Sequence, residues 1–519
     1  MENVDSVRAR IDLTQFRRYM VRAKCFDIEA GKFIAVLNEG EARHNGIMTG
    51  DRALLKIGSR EKIVLVDLSE EVVKPGEVGL FADTTGELKV RDGDEIEIKP
   101  VSKPASIEII KRKMDGGALT AQDIDLVIKE LMENRLSEVE LASWIAAMYI
   151  RGTSIEETVA LAQAIVKSGE VLNLGKSPIV DKHCAGGVAG NRTSMVMVPI
   201  LAAAGLYIPK TSSRSISSAS GTADTMEVLA PVEFSLAEMR KIVLKTHGCI
   251  VWGGAINLAA ADDKLIRVRH PLSLDPRGVL MASILAKKVS VGAQYVVIDL
   301  PAGRGTKFED IAQAKSLAKD FLTVGARLGL QVECLITDGT DPIGQRIGAA
   351  LECYDVIETL QGKGPQDLTD KSCQLAGALF EKCGKVQKGR GYDAALDLLS
   401  SGKAYAKMKE IIEAQGGNPN VKVEDLPIGT HKHVVEAEAA GRVRHIDNKD
   451  ISKIARAAGA PQEVGAGVIL HCEQGDKVKK GDLLFEIVAE SSSKLGFAVK
   501  ALSTLAPVEL QKVVIGKYD

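Results

Sequence analysis

Apolar and polar residues alternate in short runs over roughly the first hundred positions, a pattern typical of strands broken by turns. Residues 33–37 and 62–66 are the clearest strand runs. A Gly-Asp turn leads into an apolar run at residues 50–57, and the same arrangement returns at residues 93–98. This internal echo predicts a small pseudo-symmetric β-barrel as an N-terminal domain over residues 1–103.

The spacing of apolar residues becomes helical after residue 105. Three sequences that begin at Thr120, Ser137 and Ser154 each carry an acid three positions later. They predict helix starts, because the hydroxyl accepts from the third backbone N–H while the acid reaches back to the cap. We expect a helical lobe of residues 104–170 together with residues 262–291.

Strand, glycine-rich loop and helix alternate from residue 179 onward. The runs at residues 250–252, 295–300 and 331–336 are apolar enough for buried strands, and alanine-rich helices separate them. Such alternation predicts an α/β lobe with a large, mostly parallel sheet, made of residues 171–261 and 292–430.

The pattern changes again in the last ninety residues. The runs at residues 464–470 and 480–487 flank a glycine turn and resemble the barrel-sandwich fold of lipoyl and biotin carrier domains. No lysine at the turn stands in the Met-Lys-Met or Asp-Lys-Ala context that modification requires. Residues 431–519 are therefore predicted to form a structural α+β domain, and the whole chain a multi-domain α/β protein.

Composition and charge narrow the function classes. The 519-residue chain is 45% hydrophobic and carries a net charge of −2, so neither a basic nucleic-acid footprint nor a disordered acidic tail is expected. Its eight cysteines are scattered without a Cys-x-x-Cys pair, which predicts reduced thiols and no zinc site. With no apolar leader and no membrane-length apolar run, the chain is predicted to be cytoplasmic.

A candidate anion site begins at Asp181-Lys-His-Cys-Ala-Gly-Gly. Glycine-rich backbone that leads into a helix start offers N–H donors and the positive end of a helix dipole. Lys182 adds a charge, and Thr193 and Ser194 add hydroxyl donors. The alternative is a tight turn with an ordinary N-cap, but the lysine and the two hydroxyls favour phosphate.

A second donor-rich segment runs from residue 211 to residue 227. Six serines, two threonines and Arg214 lie between Thr211 and Thr222, with apolar segments on both sides. A polar surface loop is the alternative. A donor-rich loop at a strand end favours a ligand with several oxyanions. Further along, Asp275 directly precedes Pro276 and a helical run, so on position alone it is as well explained as a helix N-cap.

These stretches together resemble the thymidine and pyrimidine-nucleoside phosphorylase family. The resemblance rests on Asp181-Lys-His-x-x-Gly-Gly-Val, on Ser-Arg-x-x-x-x-x-x-Gly-Thr-x-Asp-x-x-Glu at residues 213–227 and on Ala-Ser-Ile-Leu-Ala-Lys-Lys at residues 282–288. It covers about residues 105–519. It implies a helical lobe hinged to an α/β lobe that binds phosphate, and dimers that form through the helical lobe.

The extra N-terminal domain, Ser-Leu-Asp-Pro-Arg-Gly at residues 273–278 and Arg-Gly-Thr-Lys at residues 304–307 look like an archaeal branch of that family. This branch acts on nucleoside 5′-monophosphates. The resemblance implies phosphorolysis of AMP, and also of CMP and UMP, to free base and ribose 1,5-bisphosphate. It implies Asp275 as the proton donor and Lys182, Ser194 and Ser212 as phosphate ligands. The implied nucleotide contacts are Gly187, Ser213, Arg214, Ser215, Ile216, Ser217, Ser218, Thr222, Ser283 and Lys307.

Inorganic phosphate is then a co-substrate, and we expect no cofactor and no metal. The expected partners are nucleotide, phosphate and further copies of the chain, in a homodimer or larger homo-oligomer, without nucleic acid or membrane. One alternative is a nucleoside phosphorylase that acts on unphosphorylated substrates. A phosphoribosyltransferase of the anthranilate type is another, although it normally shows a Gly-Thr-Gly-Gly-Asp loop where this chain has Cys-Ala-Gly-Gly-Val. A non-catalytic assembly module is the third.

Overall fold

The computed structural model describes residues 19–215 and 218–511. The chain divides into two compact units, one of residues up to Ala164 with Ala261–Gly278, the other of Ile165–Ala260 with the residues from Val279 onward. Within the described ranges, no helix is both long and apolar enough to cross a membrane.

The first unit begins with a closed β-barrel. Its elements are β1 (Tyr19–Cys25), β2 (Ile34–Asn38), α1 (Glu39–His44), β3 (Arg52–Ile57), β4 (Arg60–Ser69), β5 (Glu77–Leu80), α2 (Ala82–Leu88) and β6 (Glu95–Val101). The described strands close in the order β1-β5-β2-β4-β3-β6. Their alternating inward side chains, such as Leu37, Leu55, Val66 and Ile96, form a core of their own.

The barrel has an approximate twofold symmetry that follows the sequence echo of the two Gly-Asp turns. Arg22 pairs with Glu77 between the parallel strands β1 and β5. Leu65 follows Arg22, and Glu77 follows Ile34, by the same number of positions that separates the two Gly-Asp turns. Leu65 and Ile34 pair in the same way between the parallel strands β4 and β2. The strand sequence β1-β2-α1-β3 is thus repeated as β4-β5-α2-β6, and the predicted pseudo-symmetric barrel is confirmed.

Helices follow the barrel. They are α3 (Ser106–Met114), α4 (Ala121–Met132), α5 (Glu138–Arg151) and α6 (Ile155–Lys167), and later in the chain α10 (Ala260–Arg269) and α11 (Arg277–Ser290). The predicted capping boxes form at Thr120 and Ser137. At Ser154 the same exchange occurs, since its amide donates to Glu157 at 2.8 Å and its hydroxyl accepts from the Glu157 amide at 3.1 Å.

The second unit contains parallel strands. The elements of its α/β part are β7 (Val180–Cys184), α7 (Thr193–Ala203), β8 (Ile208–Ser212), α8 (Thr222–Glu227), α9 (Leu236–Thr246), β9 (Gly248–Trp252), β10 (Tyr295–Ala302), α12 (Ile311–Arg327), β11 (Gln331–Asp338), β12 (Arg346–Ile347), α13 (Ala349–Leu360), α14 (Gln366–Lys382), α15 (Gly391–Ser400) and α16 (Lys403–Ala414). A 3₁₀ turn follows at Val423–Asp425.

Strands β11, β10 and β7 form one parallel sheet, and β8 and β9 form a parallel pair. A parallel bridge from Ile179 to Tyr207 connects the two sets just before β7 and β8. The carboxyl ends of these strands therefore lie along one edge, where loops carry the ligand sites of parallel sheets. Helix α7 packs behind this edge with residues buried on every side, among them Met195 and Val198.

The C-terminal part of the second unit holds two small sheets. Its elements are β13 (His431–Glu436), β14 (Gly441–Ile446), α17 (Asn448–Ala457), β15 (Gly467–Leu470), β16 (Lys477–Val478), β17 (Leu483–Ala489), α18 (Ser492–Leu502) and β18 (Val508–Gln511). Strands β15 and β17 pair antiparallel, as the glycine-turn pattern predicts. The sheet orders are β12-β15-β17-β13 and β16-β14-β18. The barrel-sandwich fold expected for this C-terminal part stays a prediction.

Candidate functional site

The glycine-rich segment forms the loop from β7 to α7, as its sequence predicts. Ala189 holds this loop through both of its backbone groups, since its carbonyl accepts from the Ile343 amide at 3.0 Å and its amide donates to the Asn448 carboxamide at 2.9 Å. Gly190 has a φ of 70°, and a Cβ there would lie 2.2 Å from the Ile343 carbonyl oxygen. Only glycine fits that position, so the loop approaches residue 343 as closely as backbone can.

Lys182 projects from β7 into this loop. Its ammonium donates to the Thr193 hydroxyl at 2.7 Å, and that hydroxyl donates to the Asn191 side chain at 2.9 Å. Lys182 is almost fully buried, and burial lowers the pKa of its ammonium. Ser194 lies beside Thr193 in the first turn of α7 and is also buried. A lysine, two hydroxyls and the start of a long helix thus meet in one place.

The helix start differs in one detail from the sequence expectation. The N-cap residue is Arg192, which makes no side-chain cap hydrogen bond, and both hydroxyls fall inside the first turn. The Thr193 hydroxyl is held by Lys182 and Asn191 and does not cap the helix. The first backbone N–H groups of α7 are therefore left without a side-chain cap from Arg192, which suits an anion as their partner.

Three further lysines lie near Lys182, and sequence reasoning assigned none of them. Lys288 of α11 donates to Asp181 at 2.7 Å. Lys371 of α14 lies 3.4 Å from Asp299 of β10. Lys210 of β8 donates to the Thr211 carbonyl at 2.5 Å. Among these described side chains, four ammonium groups face two carboxylates.

The surplus of positive charge has electrostatic consequences. Burial, followed by the charge of Lys288, lowers the pKa of Lys210 to about 7. Burial and the neighbouring lysines also lower the pKa of His183 well below its ordinary value, so its ring is neutral at neutral pH. An interior that holds this many poorly compensated cations is suited to a ligand with two negative charges.

Cys184 ends β7 inside the same loop. Its thiol contacts the Gly186 carbonyl at 3.7 Å and accepts from the Asn191 side chain at 3.3 Å. Burial, and next to it the charge of Asp299, raises the pKa of this thiol to about 12. Cys184 is therefore protonated at neutral pH, a state that disfavours nucleophilic attack.

The serine-rich loop leaves the end of β8. Ser212 is the last residue of that strand, and its buried hydroxyl has no hydrogen-bond partner among the described residues. Such an oxygen costs free energy unless a ligand or water meets it. Ser213 is exposed, and Thr222 begins α8 with its side chain partly buried. Ile216 and Ser217 lie outside the described residues.

Some hydroxyls of this loop are used to shape the loop itself. Ser215 contacts the Ser218 carbonyl, and the Ser218 hydroxyl donates to the Ser220 carbonyl at 2.9 Å. The Ser215 amide donates to Asp224 at 2.7 Å, as does the Gly221 amide at 2.8 Å. The motif acid Asp224 thus folds the loop over the start of α8, and the serines are less freely available than the sequence alone implies.

Arg214, a predicted nucleotide contact, is engaged by acids. Its guanidinium forms an ion pair with Glu227, donates to Glu233 at 3.0 Å and lies 4.8 Å over the ring of Trp252. These contacts, led by the hydrogen bonds that the guanidinium donates to Glu227, raise the pKa of Arg214 still further. In this arrangement Arg214 orients the loop.

Arg192 links the two loops. Its guanidinium donates to the Ser220 carbonyl at 3.1 Å and forms a buried ion pair with Glu352 of α13. Glu352 also accepts from Thr225 of α8 at 3.0 Å. The glycine-rich and the serine-rich loops are therefore fixed to one another and to α13.

The remaining predicted residues are spread over both units. Gly187 is exposed in the glycine-rich loop, with open space where a Cβ would stand. Ser283 is buried in α11. Lys307 is exposed in the loop that follows β10, a few positions after the carboxyl end of that strand. Asp275 belongs to the first unit, where its half-exposed carboxyl accepts from Arg269 at 3.2 Å.

No group of three or more His, Cys, Asp or Glu side chains in the described ranges is arranged to hold a metal ion. The groups gathered at the start of α7 are lysines, hydroxyls and amide N–H groups, which are ligands for anions.

Comparison with known proteins places this geometry in a family context. A model of the glycosyl transferase family, helical bundle domain, matches residues 107–169. The a/b domain model of the glycosyl transferase family matches residues 176–405, and a model of the pyrimidine nucleoside phosphorylase C-terminal domain matches residues 442–509.

Whole-chain relatives are similar along almost their full length. An AMP phosphorylase of Thermococcus sibiricus is 44% identical over 496 residues, which covers 95% of this chain and 98% of that protein. An AMP phosphorylase of Pyrococcus furiosus has the same identity and coverage. AMP phosphorylase 1 of Archaeoglobus fulgidus is 44% identical over 94% of this chain and 97% of its own.

Among solved structures, anthranilate phosphoribosyltransferase of Thermus thermophilus matches with a TM-score of 0.51 at 20% sequence identity. The match covers 59% of this chain and 98% of that one. At this identity the likeness concerns the fold alone.

Proposed function

The chain belongs to the AMP phosphorylase family, and from this premise we propose that it cleaves AMP with inorganic phosphate to adenine and ribose 1,5-bisphosphate. It is thus a pentosyltransferase of the glycosyl transferase family. The nucleoside phosphorylase alternative has less support, because the three relatives named above, which match 94–95% of this chain, are AMP phosphorylases.

The observation that carries the proposal is the cluster of lysine side chains around Lys182 at the start of α7. Lys182, Ser194 and Ser212 are the proposed ligands of the attacking phosphate, helped by the first backbone N–H groups of the helix, for which Arg192 provides no side-chain cap. Ser212 supports this role through its buried hydroxyl, which has no hydrogen-bond partner within residues 19–215 and 218–511. The surplus lysines lower the free energy of a bound dianion more than that of a neutral ligand.

In the proposed reaction, a phosphate oxygen forms a bond to C1′ of the ribose while the bond from C1′ to N9 of adenine breaks. The electron pair of the broken bond leaves with the base, which takes up a proton at N7. Asp275 is the proposed donor of that proton. The bound phosphate also stabilises the positive charge that develops on the ribose, and holding the two reactants in place can supply several kcal/mol, since effective molarities reach about 10⁵–10⁸ M.

The 5′-phosphate of the nucleotide requires its own donors. We assign it to Lys307 and to the hydroxyls of the serine-rich loop that do not fold the loop itself, with Gly187, Thr222 and Ser283 as further nucleotide contacts. CMP and UMP are proposed as additional substrates. Phosphate is a co-substrate in this scheme, and neither a cofactor nor a metal takes part.

We propose a homo-oligomer that forms through the helical elements. Helix α5 buries one face within its own unit, yet on the opposite face Val139, Ala146, Tyr149 and Ile150 follow one another at helical spacing. Val139 and Ile150 are 76% and 74% exposed. A second apolar stripe on one helix is typical of a contact between subunits. We further propose that the enzyme works in the cytoplasm, with the barrel of residues 1–103 serving assembly.

The function is tested by incubating the purified chain with AMP and phosphate and measuring adenine by chromatography and ribose 1,5-bisphosphate by ³¹P NMR. We expect adenine release that requires phosphate and is much faster from AMP than from adenosine. Release without phosphate would identify a hydrolase, and a preference for adenosine would favour the nucleoside phosphorylase alternative.

A further inference from the structure

We propose that the C-terminal domain (residues 431–511) contributes to the phosphate site by fixing the conformation of the glycine-rich loop, and that Asn448 is the positioning residue that does so. This inference rests on the proposed function for its catalytic consequence. Its structural part stands independently of the reaction.

Asn448 connects two loops that are distant in sequence. It begins α17 and is 2% exposed. Its carboxamide oxygen accepts from the Ala189 amide at 2.9 Å, 259 positions away. Its carboxamide nitrogen donates to the carbonyls of Gly339 and Thr340, both at 3.0 Å, in the loop after β11. The side chain thus makes three hydrogen bonds to backbone groups, and the Ala189 amide and the Gly339 carbonyl among them are buried.

Packing provides a second and independent observation. Ala189 of the glycine-rich loop and Ala219 of the serine-rich loop are both buried in the hydrophobic core of the C-terminal domain, together with Ile451 and Ile454 of α17. The two ligand loops therefore use the C-terminal domain as part of the surface on which they fold. Neither loop is supported by the α/β part alone.

Polar contacts at the domain's edge continue the same attachment. Asp341, just beyond the Asn448 contacts, accepts from the Ile446 amide at 2.6 Å and lies 2.9 Å from the ring of His445. Arg304, in the loop that carries Lys307, pairs with Glu509 of β18 at 2.7 Å. Each of the loops proposed to touch phosphate or nucleotide on this unit is thus tied to a residue of the C-terminal domain.

The functional reason is geometric. A phosphate held by backbone N–H groups binds most tightly when those groups are fixed beforehand, because ordering a glycine-rich loop on binding costs conformational entropy for each residue. The Ala189 amide donates to Asn448 and is therefore not a phosphate donor. This hydrogen bond instead fixes the position of the loop residues on both sides of Ala189. The neighbouring N–H groups are then presented in one arrangement. Loss of Asn448 should weaken phosphate binding without removing any phosphate ligand.

The test compares Asn448→Ala with Asp447→Ala, its neighbour. Asp447 caps α17 by accepting from Lys449 and Asp450 at 2.9 Å, and its other carboxylate oxygen lies 3.7 Å from the ring of His445. None of these contacts is with the glycine-rich or the serine-rich loop. Both substitutions remove hydrogen bonds at the same helix start, so both lower the thermal midpoint. Only Asn448→Ala should raise the KM for phosphate, by about tenfold or more for the lost contacts, with the KM for AMP changed much less.

A readout that needs no turnover separates this inference from the proposed function. Hydrogen–deuterium exchange of the peptide that spans residues 185–192 should accelerate in Asn448→Ala and stay near wild type in Asp447→Ala, and added inorganic phosphate should slow it more in wild type than in Asn448→Ala. If the wild-type chain failed to cleave AMP, this exchange pattern would still stand or fall by itself. Equal behaviour of the two variants, in exchange or in phosphate KM, overturns the positioning role.

Discussion

Arg269 and Asp275 form an ion pair, with 3.2 Å between the guanidinium Nη1 and the carboxyl Oδ1. The Asp275 side chain is 45% exposed and lies one residue before Pro276 and two before the first residue of α11. This is the carboxyl to which we assign the proton transfer. To act as an acid it must hold a proton, so the pair with Arg269 has to be exchanged for contacts with the bound substrates before the base departs.

The substitution Asp275→Asn separates the acid from a merely structural residue. Asparagine keeps the shape, accepts from Arg269 and serves equally well near a helix start, so stability should change little. It has no acidic proton. We therefore expect turnover of AMP to fall by at least about a hundredfold with AMP affinity nearly unchanged, measured by steady-state kinetics and equilibrium binding.

A matched control for this variant is Asp310→Asn. Asp310 caps α12 through a 2.8 Å contact with the Ala312 amide and has no assigned role in the reaction. It should retain wild-type turnover. Near-normal turnover in Asp275→Asn itself would show that Asp275 has only a structural function.

Selectivity for nucleotides should depend on Lys307. Replacing it by alanine removes one cation from the proposed 5′-phosphate contacts, and a lost hydrogen bond to a charged group costs about 1.5–3 kcal/mol, roughly ten- to a hundredfold in kcat/KM for AMP. Residual cleavage of adenosine should hardly change. Lys315→Ala, an exposed lysine of α12, is the control that should leave both substrates unaffected, and equal losses on AMP and adenosine in Lys307→Ala would refute the 5′-phosphate role.

Replacing Lys210 by methionine should stabilise the protein by an amount that depends on pH. Its folded-state pKa of about 7 lies below the ordinary 10.5, so between these values the unfolded chain holds a proton that the folded chain has lost, and stability rises with pH across that window. Below pH 7 the Lys210 ammonium is charged in the folded protein, and its burial then lowers the free energy of unfolding by the full amount. Lys210→Met should therefore stabilise the protein most near pH 6, by about 1–4 kcal/mol, and least near pH 10.

Thermal unfolding at pH 6, 8 and 10 measures this trend. The exposed residue Lys245 at the end of α9 offers the comparison, since Lys245→Met should change stability by less than about 0.5 kcal/mol at each pH. A gain for Lys210→Met that does not shrink with rising pH would rule out the buried ammonium as its cause. The same variant should bind phosphate more weakly, because it removes one of the four ammonium groups around the site.

Cys184 should tolerate replacement by serine. The thiol is protonated at neutral pH, and the groups that it contacts, in Gly186, Asn191 and Asp299, can also form hydrogen bonds with a hydroxyl. We expect kcat/KM for AMP to stay within about threefold of wild type, as neutral hydrogen bonds differ by about 0.5–1 kcal/mol. A loss of a hundredfold or more, measured under the same assay conditions, would instead indicate a covalent role for the thiol.

Removal of residues 1–103 should shrink the assembly and leave most of the activity of each subunit. The barrel has its own core, and no proposed ligand lies in it. Its buried residue Arg52 pairs with Glu140 and contacts the Arg135 carbonyl, so the truncated chain should also unfold at a lower temperature. Light scattering and assays at a temperature well below that midpoint decide the matter. A truncated protein of unchanged size without turnover would contradict the assembly role.

Local signals in the sequence were sufficient for much of the fold. The capping boxes at Thr120, Ser137 and Ser154 involve residues only three positions apart, and the Gly-Asp turns specify their own geometry, so both were predictable without tertiary information. The glycine-rich loop and the serine-rich loop were likewise placed correctly at strand ends. The division into four domains and the roles of the individual site residues remain predictions.

The residues that sequence reasoning missed act over long separations. Lys288 lies within a motif that was recognised, yet its contact with Asp181 is 107 positions away. Asn448 stands in an unremarkable polar helix start, and nothing near it in sequence indicates that it holds Ala189. Arg214 is a nucleotide contact by family resemblance, and its ion pairs with Glu227 and Glu233, which follow later in the chain, could not be predicted from the residues beside it.

The symmetry of the N-terminal barrel has a consequence for its construction. The strand pairs β2–β5 and β3–β6 each join equivalent strands of the two halves, so each half carries an edge that is complementary to its own copy. A peptide with only one half, β1-β2-α1-β3, would present every edge needed to close a barrel with a second identical peptide. The domain is thus built like a homodimer whose two halves are joined in one chain.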